Sequence, residues 1–160
     1  MSSSPKSADQ WFAEYGESHQ NGANELIHWI CVPIIFFSVL GLIWSIPVPA
    51  VITGSWPGFK WALPAAVGAL FFYMRLSRPL ALGMFVMILG CYGLIHGLVV
   101  YAPWAVWQVC LGLFALAWIG QFIGHKIEGR KPSFFHDVVF LLIGPAWLLH
   151  FIYKKLGLKY

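Results

Sequence analysis

Apolar positions along this chain gather into five long runs with short polar breaks between them. The first run, Leu26 to Ile46, is long enough to cross a bilayer, for which about twenty residues are needed. Pro33 is placed to kink it. A loop from Pro47 to Pro57 follows, marked by Pro49 and Gly54. The second run covers Phe59 to Leu76 and the third Pro79 to Tyr101. A tight Ala102-Pro103 turn leads into the fourth, Trp104 to Gly124. The last apolar segment, Phe134 to Tyr153, is interrupted near its middle by Gly144-Pro145. This pattern predicts an all-α fold. The expected architecture is a polytopic membrane helical bundle, with four spans plus a broken or re-entrant fifth apolar segment. The alternative, five full spans, would carry the lysine-rich tail to the opposite side of the membrane.

The polar ends complete a single integral membrane domain over 1–160. Residues 1–25 form the N-terminal segment, 26–153 the bundle and 154–160 a basic tail. Residues 1–6 read as disordered. Ser7 to Gln10 fits a capping box that starts a short helix. That helix carries Trp11, Phe12 and Tyr15, aromatics suited to the headgroup level. Gly16 and the Asn21-Gly22 pair break it. Asn24 reads as the N-cap of the next helix, with Glu25 in its first turn.

Composition supports the membrane reading. Only 10% of the 160 residues are charged and 59% are hydrophobic, where a soluble domain carries about 25% charge. The net charge of +4 therefore does not point to nucleic acid. Arg75 and Arg78, and then Lys126, Arg130 and Lys131, occupy two breaks that would share one face. The Tyr101–Pro103 turn carries no basic residue. By the excess of basic residues in cytoplasmic loops, the N-terminus and both basic breaks face the cytoplasm. The expected location is a bacterial inner membrane. Cys31, Cys91 and Cys110 lie within apolar runs and read as small buried hydrophobes. No cleavable signal peptide is visible, so the first span itself is expected to direct insertion.

Two polar clusters interrupt the apolar background. The first, HQNGANELIH, runs from His19 to His28. Asn24 and His28 are i, i+4 neighbours, and His28 falls just inside a span, where an ionisable group needs a partner. In the second, Gln121, His125 and Glu128 are spaced i, i+4, i+7 and share one helix face. An imidazole and a carboxylate on one face suit a divalent metal, with the glutamine orienting a ligand. Gly120 and Gly124 would let another helix approach closely. Both clusters fall on the same side, as a shared site requires. His136, beside Asp137, is a possible further ligand. His96 reads as a satisfied core histidine far from the clusters, and His150 as interfacial. Neither a nucleophile elbow, a phosphate loop, an HExxH helix nor a dinucleotide fingerprint is present.

The segments HQNGANELIHWICVP, QFIGHKIEGRKPSFF and FLLIGPAWLL resemble the family of the yeast 2-hydroxy fatty acid dioxygenase. The resemblance runs from about residue 10 to 153. It implies an Fe(2+)-dependent α-oxidation, in which a 2-hydroxy fatty acid and O2 give a fatty acid one carbon shorter. It also implies His19, His28 and His125 as iron ligands. Glu128 matches the acidic position, where it would complete the ligand shell or orient a histidine. With Glu128, Gln121 and Asn24 are the expected catalytic residues. Gln20, Lys126 and Arg130 are candidates for binding the substrate carboxylate. The expected partners are the substrate, O2 and membrane lipids, with a homo-oligomer left open. Histidine ligation alone does not select iron over zinc. A zinc-dependent lipid hydrolase and a non-catalytic lipid-binding or assembly protein remain the rival readings.

Overall fold

The structure is a computed structural model that describes residues 6–130 and 139–160. Among these residues it is helical, with no strand. The helices are α1 (Ala8–Gly16), α2 (Gly22–Trp44), α3 (Ala50–Ser55), α4 (Ala62–Leu76), α5 (Arg78–Tyr101), α6 (Val106–Glu128) and α7 (Phe140–Lys155). The expected disorder of 1–6 falls, but for Lys6, outside the described residues, as does His136.

Helices α2, α5 and α6 have 23, 24 and 23 residues and are apolar enough to cross a membrane. At about 1.5 Å per residue each reaches about 35 Å, against a hydrocarbon core of about 30 Å. Helix α4 is apolar but has 15 residues, about 22 Å. The apolar residues before it do not extend the helix. They form a turn in which Trp61 Nε1 donates to the Pro47 carbonyl at 3.2 Å. The loop expected over 47–57 contains the short α3. Outward faces stay apolar: Leu82, Val86 and Leu89 on α5, and Leu111, Leu116, Ile119 and Ile123 on α6, are all exposed. Such an exterior suits lipid rather than water. The chain is a membrane protein.

The tightest contact is between α2 and α6, which run antiparallel. Asn24 sits over Gly124, Cys31 over Gly120, and Cys110 over Gly41. A Cβ at Gly124 or Gly41 would collide with Asn24 Oδ1 or Cys110 Sγ. One at Gly120 would lie 2.8 Å from Cys31 Sγ. These three glycines let the two backbones approach. All three cysteines are buried free thiols. The pairing brings His28, one turn past Asn24, beside His125, the neighbour of Gly124.

Local signals hold at α1 and shift at α2. Ser7 Oγ accepts from the Gln10 amide, and Gln10 Oε1 accepts from the Ser7 amide, as the capping box requires. The N-cap of α2 is Asn21, not Asn24: Asn21 Oδ1 accepts from the Ala23 amide at 2.9 Å. Asn24 lies inside the first turn, where its side chain is free for other contacts. His96 is exposed on α5 rather than a core residue. His150 is buried and bonds through Nδ1 to the Tyr160 hydroxyl, which in turn donates to Asp9 Oδ1 at 3.1 Å.

The fifth apolar segment departs most from expectation. From Phe140 to Lys155 the chain is one helix that passes unbroken through Gly144-Pro145. Proline removes one backbone bond, but Ile143 to Leu148 are all buried, so packing holds the helix through the defect. Tyr73 Oη donates to the Leu142 carbonyl and Tyr153 Oη to the Pro79 carbonyl, each at 2.7 Å. Both ends of α7 are thus tied to the corner where α4 meets α5. Helix α1 lies along it, with ring pairs Trp11–Phe140 at 5.7 Å and Tyr15–Trp147 at 5.2 Å. The tail returns to the side of α1 without a hairpin.

Gly41→Leu is expected to destabilise the bundle by about 1–3 kcal/mol through overpacking against Cys110. Gly112→Leu, where nothing lies within 4 Å of the added carbon, should leave the melting temperature in detergent unchanged. Equal melting of the two variants would refute the close α2–α6 approach.

Candidate metal centre

Three chain segments each deliver one histidine. His19 comes from the turn after α1, His28 from the second turn of α2, and His125 from the last turn of α6. All three are buried. Ring centroids are 4.2 Å apart for His19–His28, 4.8 Å for His28–His125 and 5.1 Å for His19–His125. One nitrogen from each ring falls within 4.8 Å of the others.

Hydrogen bonds fix which nitrogens face inward. His19 Nδ1 donates to the Tyr15 carbonyl at 2.6 Å, and His28 Nδ1 to the Asn24 carbonyl at 2.8 Å. Each Nε2 is left with a lone pair. His19 Nε2, His28 Nε2 and His125 Nδ1 are buried and have no hydrogen-bond partner among the described residues. An orphaned buried polar atom costs about 1–3 kcal/mol, so three that converge call for a ligand. Burial, with His28 adjacent, pushes the His19 pKa down to about 3. That ring is neutral at physiological pH, the form that ligates metals. Three converging imidazoles fit one divalent transition-metal ion, though this donor set does not choose among iron, zinc and copper.

The structure gives Glu128 another task than ligation. Its Oε1 accepts from the Gln20 amide at 3.0 Å. Its Oε2 accepts from the Asn21 amide at 2.8 Å and from Asn24 Nδ2 at 3.1 Å. An anion is favourable at that place, the N-terminus of α2. Asn24 Nδ2 also donates to the Ser18 carbonyl at 3.0 Å. The two side chains thus clamp the turn that carries His19 onto the end of α6.

A cavity of about 30 Å³ adjoins the histidines, lined among others by His19, His125, Gln121, Tyr15 and Trp118. It has room for one or two waters. Gln121 is therefore brought to the site as expected. Gln20 is not: its side chain turns back to the Gly16 carbonyl at 2.6 Å. Lys126 and Arg130 are exposed on the surface and do not line the cavity.

Tyr15 is the residue that sequence reasoning missed as part of the site. Its ring stacks on His19 at 4.3 Å with 12° between planes. Its hydroxyl lies against Gly144, where an added Cβ would sit 3.0 Å from the oxygen. Burial pushes its pKa up, so the hydroxyl stays protonated. The available signal was its position four residues before His19, which its aromatic character masked.

The model of one protein family, described as 2-hydroxy-palmitic acid dioxygenase Mpo1-like, matches residues 5–156. The 2-hydroxy-palmitic acid dioxygenase of Saccharomyces cerevisiae is 30% identical over 145 residues, covering 87% of this chain and 75% of the yeast protein. No solved structure matches. A yeast relative gives no support to a bacterial inner membrane. The match extends from before α1 to the tail after α7, across every segment that builds the histidine cluster, and the chain belongs to the Mpo1-like family.

Proposed function

We propose that this chain is an Fe(II)-dependent dioxygenase that shortens 2-hydroxy fatty acids by one carbon. The observation that carries the reading is the convergence of three orphaned imidazole nitrogens in a buried site. The family and the yeast relative supply the reaction class. The overall change balances with O2 alone when the carboxyl carbon leaves as CO2 and one oxygen as water.

His19, His28 and His125 would hold the metal, with the first two rings locked by their Nδ1 bonds. Iron bound there would supply the O2 chemistry that side chains lack. The Tyr15 hydroxyl keeps its proton and acts as a hydrogen-bond donor towards a substrate carboxylate. The Gln121 amide serves the same end of the substrate. Val32, Ile35 and Trp118 wall part of the cavity with apolar surface, leaving room for at most one or two waters. Lys126 and Arg130 attract the carboxylate at the membrane surface. Glu128 and Asn24 act as positioning residues. In this reading α2, α5 and α6 cross the membrane, the shorter α4 packs among them as the fourth span, and the charge pattern supports a site on the cytoplasmic side.

Protein purified in detergent is expected to hold about one iron per chain, and His28→Ala to hold none, by elemental analysis. Zinc at that level would favour the hydrolase. No metal after anaerobic Fe(II) reconstitution would favour the lipid-binding reading. O2 uptake with 2-hydroxypalmitate, and release of the acid one carbon shorter, tests the reaction directly. Glu128→Ala is expected to weaken iron binding by about 10–100-fold, measured by chelator competition. Affinity equal to wild type would refute the positioning role.

A further inference from the structure

A second cavity lies directly behind the histidine site. Its volume is about 330 Å³, and every residue that lines it is apolar. Ligand pockets begin at about 300 Å³, so this one is large enough to hold an organic molecule. Ile35 and Leu141 line both cavities, so the two share a wall.

The sequence of α2 links them as well. His28, Val32, Ile35, Val39 and Ile43 are spaced i, i+4, i+7, i+11 and i+15, which places them on one helix face. That face leads from the metal ligand into the apolar cavity over about 22 Å. Helix α4 supplies the facing wall with Ala65, Ala66 and Ala69. Larger side chains at these positions would fill the space. Helix α4 runs antiparallel to α2, since Ala62 packs with Leu40, and Tyr73 shares a cluster with Val32. Ala65 therefore lies deep and Ala69 nearer the histidines.

We infer that this cavity is the acyl-chain site, and that Ala65 and Ala69 set the chain length it accepts. The inference rests on the proposed dioxygenase reading and adds the place where the tail lies. A polar head at the histidines and an apolar tail along α2 match the two cavities end to end. A dry apolar cavity has no stable use for water, whereas an alkyl chain fits its lining. A larger groove of about 560 Å³, between α2, α5 and α6, has the wrong connection. It is lined by Pro33, Ile34 and Phe37 of α2 and shares no residue with the histidine cavity.

The first test uses 2-hydroxypalmitate with a diazirine at its terminal carbon, photolysed on the iron-loaded protein in detergent and mapped by mass spectrometry. Adducts are expected within Val39–Ile43 and Ala62–Ala69, and excess unlabelled 2-hydroxypalmitate should suppress them. Adducts in the α5–α6 groove, or spread over the outward apolar residues, would overturn the inference. This readout needs no turnover. Correct labelling of a protein that oxidises no 2-hydroxy acid would sink the dioxygenase reading and leave the acyl site standing. The second test compares kcat/KM across chain lengths. Ala65→Phe should lower the value for 2-hydroxypalmitate, relative to 2-hydroxydecanoate, by about tenfold or more. Ala69→Phe should move the cutoff to shorter chains still. Unchanged profiles in both variants, at wild-type melting temperature, would overturn the chain-length assignment.

Discussion

Glu128 sits where α6 ends and receives N–H groups from Gln20, Asn21 and Asn24 at the start of α2. These partners are more than 100 positions away in sequence. At the C-terminus of its own helix the carboxylate faces partial negative charge, and at the N-terminus of α2 it meets partial positive charge. Its second position makes the first tolerable. The turn between α1 and α2 holds His19 against the other two rings through this charge and the Asn24 amide. Without the clamp, His28 and His125 would still meet along the helix pair, but His19 would be held only from the α1 side, by the Tyr15 carbonyl and ring.

The close approach of α2 and α6 serves the same end by different physics. No hydrophobic force drives helices together in lipid, so contact area and small residues decide the pairing. Gly41, Gly120 and Gly124 let the helices touch along their length, which aligns the histidines without any bond between them. Around this pair, α1 and α7 close the site from one side. Tyr15 and Gly144 show how α1 and α7 fit, the missing side chain of one making room for the hydroxyl of the other.

Much of this was legible before any coordinates. Lipid demands long apolar runs, so the bounds of α2, α5 and α6 followed from hydropathy to within a few residues. The two polar clusters stood out because polar groups in such a background need a partner. What local rules missed was decided by tertiary contact. Gly144-Pro145 reads as a break, yet burial on every side carries α7 through it. Asn21 and Asn24 are both capping residues, and Asn21 caps α2 while Asn24 joins the clamp. Glu128, left open by local chemistry between ligating and orienting, gives its oxygens to N–H groups of Gln20, Asn21 and Asn24. The apolar stretch before Ala62 looks like span and turns instead, because Trp61 binds the Pro47 carbonyl.

The order of these parts along the chain has its own meaning. His19, His28 and His125 all precede α7, the helix that supplies Phe140, Gly144 and Pro145 to the wall of the cavity. A chain that leaves the ribosome N-terminus first displays its three imidazoles to the surroundings before the last wall exists. The cup around the three imidazoles is complete only once α7 packs against α1, so the last helix made is the one that buries the site.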